Sequence, residues 1–96
     1  MLKDKLDSKK IILITGASQG IGKTCAMKFL KEGYKVAVLA RNKNKLENIF
    51  NNFESALILS CDVSNYDQVN QSFQAIKRRW GRLDVLFNNA GIGLKA

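Results

Sequence analysis

The residues whose types and spacing suit chemistry best are glycines. Thr15-Gly16-Ala17-Ser18-Gln19-Gly20-Ile21-Gly22 lies between an apolar run and an amphipathic one. Glycine at 16 permits a tight turn, glycine at 20 lets backbone approach an anion, and glycine at 22 allows a helix to pack closely on the preceding strand. A helix starting there directs unpaired N–H groups and the positive end of its dipole at one point, which suits a pyrophosphate. The spacing is GxxxGxG rather than GxGxxG, and the longer loop brings the Ser18 and Gln19 side chains toward the phosphate side of a bound adenosine. Gly16, Ser18, Gln19, Gly20, Ile21 and Gly22 are therefore candidate dinucleotide contacts. The competing reading is an ordinary glycine turn, which leaves the agreement of spacing, preceding strand and following helix without a cause.

A second candidate lies about 20 residues further on, where an acidic side chain would accept bonds from the ribose 2′-hydroxyl of NAD. Here the chain reads Leu39-Ala40-Arg41-Asn42. Arg41 offers a planar fork of donors to a 2′-phosphate, and Ser18 adds a hydroxyl. NADP is thus the expected cofactor, ahead of NAD. The alternative for Arg41 is a solvated charge at the start of a helix. Other chemistries find little support, because the chain has no histidine and two cysteines, Cys25 and Cys61, far apart in sequence. Zinc sites and histidine-activated nucleophiles are unsupported, no metal is expected, and the thiols read as buried groups in a reducing cytoplasm.

The elements that must position these groups can be read from apolar periodicity. Lys10 to Ile14 is a continuous β-branched run suited to a strand buried on both faces. Ile21, Cys25, Ala26, Phe29 and Leu30 recur at helical spacing up to Gly33, a residue suited to a left-handed cap. A second strand follows at Val36 to Ala40, and Leu46, Ile49, Phe50 and Phe53 line one face of a second helix. Ala56 to Cys61 reads as the third strand, and Ser64 with Asp67 resembles a capping box. The third helix carries Val69, Phe73, Ile76 and Trp80 on one side and stops at Gly81, before a fourth strand at Leu83 to Phe87. Strict alternation predicts an α/β fold of Rossmann type: a doubly wound parallel sheet of four strands in order 3-2-1-4, with three helices. Ligands bind such sheets beyond the carboxyl ends of the strands, where the order reverses.

At 96 residues the chain makes at most one domain. Residues 1–8 read as an N-terminal extension and 9–96 as part of a nucleotide-binding domain. No apolar stretch approaches the roughly 20 residues of a membrane span, and the start, with both charge signs, does not resemble a secretory leader. A cytoplasmic location without membrane contact is expected. The net charge of +8 raises nucleic-acid binding as an alternative. Yet Lys77, Arg78, Arg79, Arg82 and the other basic groups fall at element ends and on polar helix faces without interleaved aromatics, so no nucleic-acid partner is expected.

Taken together, Thr15 to Gly22, Cys61-Asp62-Val63 and Asn88-Asn89-Ala90-Gly91 resemble the short-chain dehydrogenase/reductase family in order and spacing, over nearly the whole chain from Lys9. The resemblance implies an NAD(P)-dependent oxidoreductase that interconverts an alcohol and a carbonyl, with a dinucleotide and a small molecule as partners and a homo-oligomer in the full-length form. It implies that Asp62 accepts a bond from the adenine amino group, that Val63 adds a backbone contact, and that Asn89, Ala90 and Gly91 form the loop over the adenosine ribose. It also implies that the Asn88 and Asn89 amides tie the fourth strand to its neighbours. One departure is Gln19, a position often basic in NADP-preferring relatives.

The family's catalytic groups are a tyrosine, a lysine four residues later, and a serine on the preceding strand. Tyr34 is followed four residues on by Val38, and Tyr66 by Asn70, so no catalytic residue is assigned and the chain is expected to be an inactive N-terminal fragment. A non-catalytic nucleotide-binding module fits the same residues.

Overall fold

A computed structural model describes residues 10–89; the expected extension at 1–8, Lys9, and the loop residues Ala90 and Gly91 lie outside the described residues. Strands and helices alternate: β1 (Ile11–Thr15), α1 (Gly20–Lys31), β2 (Lys35–Ala40), α2 (Lys43–Phe50), β3 (Ala56–Ser60), α3 (Tyr66–Trp80) and β4 (Val85–Phe87). All pairings are parallel and the order is β3-β2-β1-β4, as the alternation predicts. Ile14 aligns with Val38 on one side and Phe87 on the other, and Val38 with Ile58, so the carboxyl ends of the four strands form one edge.

β1 and the middle of β2 are buried because helices cover both faces of the sheet. Side chains alternate across a strand, so Ile12, Ile14, Val36 and Val38 meet Ala26, Leu30, Leu46 and Phe50 from α1 and α2. Ile11, Leu13, Ala37 and Leu39 meet Cys61 and Ile76 on the α3 side. Each valine, leucine, isoleucine or phenylalanine among them contributes about 1.5–3 kcal/mol by leaving water. The continuous apolar runs are thus the sequence of strands with no solvent face.

Two helix faces differ from the periodicity reading. Ile21 is 67% exposed, because the inward line of α1 runs through Gly22, Ala26 and Leu30, and Ile21 stands about 100° around the helix from Gly22. On α3 the inward line includes Ser72 and Ile76, which leaves Phe73 38% exposed at its margin. α2 ends at Phe50, and Phe53 reaches the same core from the turn after it.

The helix ends show local chemistry at work. α1 closes with Gly33 at φ 95°, with bonds from Gly33 N–H to Leu30 O and from Tyr34 N–H to Phe29 O, and with the Phe29 and Tyr34 rings edge to face at 5.5 Å. That is a Schellman motif with its apolar contact. The expected Ser64/Asp67 box does not form: Asn65 caps α3 by accepting from Gln68 N–H at 3.1 Å, and the Gln68 side chain accepts from Asp62 N–H instead. Ser64 instead turns toward Asp62, to which it donates both its N–H and its hydroxyl.

The fourth strand is shorter than its apolar run, since Asp84 interrupts the start. Its carboxylate accepts from Ile11 N–H at 2.8 Å and from Arg82 Nε at 3.0 Å, while its own N–H donates to Ile11 O. The Ile11 amide, then the Arg82 side chain, holds this carboxyl below the ordinary carboxylate range, and burial opposes them. A folded pKa below the unfolded one gives stability that is complete above the unfolded value, about 3.9, and is lost as pH falls through the folded value. Asp84→Ala should therefore lower the denaturant midpoint at pH 7 and flatten its decline on acidification toward pH 3; equal acid sensitivity in both proteins would contradict this.

Candidate functional site

A cleft of ≈ 590 Å³ opens at the carboxyl edge of the strands. Its first wall is the glycine loop between β1 and α1, represented by Gly16, Ser18, Gln19, Gly20 and Ile21. Gly16 at φ 63° and Gly20 at φ 59° occupy the left-handed region that side chains disfavour. Ala17, fully buried, donates its N–H to Leu39 O at 3.0 Å, which stitches the loop to the end of β2. The α1 N-terminus then faces the cleft without a side-chain cap: Gln19 is the N-cap residue but makes no capping bond, and no acidic residue occupies the first turn. Amides left free at such an end are a place for an anion.

Gly22 does not line the cleft; it lies buried beneath the loop. A Cβ there would stand 2.3 Å from the Gly16 carbonyl oxygen and 2.9 Å from Asn89 Nδ2. The space that glycine leaves is therefore filled by the loop's own backbone and by Asn89, rather than by the strand as the motif alone suggests. Asn89 Nδ2 donates to Gly16 O at 3.4 Å, and Thr15 Oγ1 donates to Asn88 Oδ1 at 3.1 Å, so both asparagines join the end of β4 to the end of β1. Asn89 also lines the cleft, and Asn88 does not.

The second wall comes from β2 and β3. Arg41, directly after β2, is exposed at the rim and makes no ion pair among the described residues. Its backbone is pinned by Ser60, whose hydroxyl donates to Arg41 O at 3.0 Å. Asp62 follows β3, and its Oδ1 accepts from the Ser64 hydroxyl at 2.7 Å and the Ser64 amide at 3.0 Å. These bonds, the hydroxyl first, hold the Asp62 carboxyl below the ordinary range; the Arg41 charge lowers it further and burial opposes. Asp62 is thus an anion that begins the turn into α3, with Oδ2 facing no donor among the described residues. Val63 lines the cleft while packing against the α3-side core.

The structure brings together all the described candidates except Gly22, which supports them from below. Sequence reasoning missed Leu39 and Ala40, which line the cleft because the register ends β2 there, and Ser64 and Cys61 beside Asp62. Gln19 lines the cleft, and its side-chain oxygen also accepts from Lys45 Nζ at 3.4 Å, a contact that no local pattern signals. Among the described residues, no group of three or more His, Cys, Asp or Glu is placed to hold a metal, and no helix is long and apolar enough to cross a membrane.

Comparison with known proteins agrees with this geometry. The family model described as short chain dehydrogenase matches residues 10–96. A 3beta-hydroxysteroid dehydrogenase of Mediterraneibacter gnavus is 41% identical over 88 residues, which cover 88% of this chain and 32% of the relative. Among solved structures, a 3-ketoacyl-(acyl-carrier-protein) reductase from Brucella melitensis complexed with NADH matches with TM-score 0.76 and 33% identity, covering 80% of this chain and 32% of that one. An L-sorbose reductase from Gluconobacter frateurii complexed with NADPH and L-sorbose matches with TM-score 0.79 and 30% identity, covering 91% and 37%. The chain spans about a third of the length of the curated relatives it matches. With the parallel 3-2-1-4 sheet, the glycine loop and the family match from Lys10 onward all in agreement, the chain belongs to the short-chain dehydrogenase family.

Proposed function

We propose that the cleft holds NADP(H) and that the protein is an oxidoreductase interconverting an alcohol and a carbonyl, with this chain supplying the cofactor-binding part. The observation that carries the reading is an uncapped α1 N-terminus set across one cleft from Arg41, which makes no ion pair among the described residues. The residues fit a dinucleotide: a side chain at Gly20 would meet nothing within 4 Å, so phosphate can approach the loop, and no carboxylate closes the end of β2. In this reading Ile21 and the glycine loop face the pyrophosphate, Asp62 and Val63 the adenine, and Asn89 the adenosine ribose; Ala90 and Gly91 are assigned to the ribose by the family resemblance alone. Relatives are solved with NADH as well as NADPH, so the preference rests on Arg41 and Ser18 of this chain. When bound, the nicotinamide supplies or accepts the hydride.

None of the residues present is proposed as the catalytic acid or base. The purified 96-residue chain should therefore bind NADPH, detected by fluorescence, and oxidise none of it in the presence of aldehydes or ketones. Turnover that disappears on changing Gly16 or Gly20 would refute the assignment of catalysis to residues outside this chain, and absence of any dinucleotide binding by the folded protein would refute the site.

A further inference from the structure

We infer that Lys45 is a second cation of the 2′-phosphate site, delivered from α2 and held at the rim by Gln19; this rests on the reading of the cleft as an NADP site. Asn42 fixes the first turn of α2 by accepting from Lys45 N–H at 3.0 Å. The Lys45 side chain then crosses to the glycine loop, where Nζ donates to Gln19 Oε1 at 3.4 Å. Gln19 lines the cleft directly before Gly20, so the ammonium stands one side chain away from that lining, outside the cleft itself.

Its neighbour Lys43 is differently placed. Lys43 Nζ lies 4.0 Å from the Glu47 carboxylate, one helical turn on, which takes up part of its charge. Four residues after Lys45 stands Ile49, and Lys45 makes no ion pair among the described residues. Two residues along a helix is about 200° of rotation, so the two lysines point to different sides.

The partner that holds Lys45 is neutral, and this matters for function. A carboxylate at position 19 would bind the ammonium and cancel its charge, whereas an amide oxygen positions it and leaves the charge available. The contact is long for a hydrogen bond and exposed, so it is readily exchanged for a charge-assisted bond to phosphate. NAD presents no such group, and Lys45 then stays on Gln19. Arg41 and Lys45 thus face the same phosphate from two elements.

The test compares NADP+ and NAD+ binding by calorimetry for the wild-type protein and the Lys45→Gln, Lys43→Gln and Gln19→Glu variants, each checked for native circular dichroism. Lys45→Gln should lower the ratio of NADP+ to NAD+ affinity about three- to fivefold, the size of one exposed charge contact. Gln19→Glu should lower the ratio at least as much, and Lys43→Gln should leave it unchanged. A second readout is the phosphorus-31 titration of bound 2′-phosphate, whose midpoint should rise in Lys45→Gln alone of the two lysine variants. Equal effects of the two lysine variants, or none, would overturn the inference, since they would reduce Lys45 to part of a general field. A wild-type protein that binds NAD+ as well as NADP+ would instead overturn the NADP reading beneath it.

Discussion

Replacing Gly22 with alanine should abolish dinucleotide binding and lower the stability of the folded chain by about 3 kcal/mol or more. The added methyl would meet the Gly16 carbonyl oxygen at 2.3 Å and the Gly16 carbonyl carbon at 2.9 Å, both fixed backbone, and the end of the Asn89 side chain at 2.9 Å. Overpacking against well-fixed atoms costs about 1–3 kcal/mol even where some relaxation is possible, and here relaxation must move the loop that forms the cleft. A small domain has about 5–15 kcal/mol in total, so the loss is a large part of it. Moving Gly16 also breaks its bond from Asn89, which joins β4 to β1 at the site. Gly20→Ala is the instructive comparison: its Cβ meets nothing within 4 Å, and only the φ of 59° opposes it, at about 1–2 kcal/mol. Thermal unfolding and NADPH fluorescence of both variants would separate steric from conformational demand. A Gly22→Ala protein with native stability and binding would show that the loop and Asn89 do not set the packing.

The sheet was legible because β1 and β2 have no solvent face, so burial alone fixes their composition, and alternation with helices leaves few topologies. The order 3-2-1-4 and the place of the cleft follow from that with no knowledge of side-chain contacts. The phase of the helices was less legible. Ile21 is as apolar as Leu30, yet it stands beside the inward line because Gly22, small and featureless in a hydrophobicity count, occupies the buried position. The cap was displaced by one residue: Ser64 and Asn65 are both good caps, and in the fold Asn65 accepts from Gln68 N–H while the Ser64 hydroxyl turns to Asp62. The link between Lys45 and Gln19 spans 26 residues and two elements, and no local pattern announces it. Asn89 shows both limits at once, as its amide serves packing beneath the loop while its position lines the cleft.

The remaining large effect concerns cofactor choice: Arg41→Asp should lower NADP(H) affinity about ten- to a hundredfold and leave NAD(H) binding equal or better. The only group that separates the two cofactors is a 2′-phosphate of nearly two negative charges. In the proposed pose it stands beside the end of β2, where Arg41 is exposed, is held by its backbone to Ser60 and makes no ion pair among the described residues, Asp62 acting on it only through the longer-range field. A charge-assisted contact of this kind is worth about 1.5–3 kcal/mol, which gives the stated range. Aspartate reverses the sign: it repels the phosphate and accepts from the ribose hydroxyls of NAD. The substitution also removes the positive charge that helps keep the Asp62 carboxyl low and adds a like charge near it, so Asp62 should titrate at higher pH in the variant. Adenine contacts through Asp62 would then weaken first at acid pH for both cofactors, while the loss at neutral pH stays specific to NADP(H). Salt gives a further discriminator, because NADP(H) binding by the wild type should fall with ionic strength more steeply than binding by the variant. Calorimetric titration of both cofactors at two salt concentrations would decide the matter; an unchanged preference would make Arg41 a solvated charge and remove the main support for NADP.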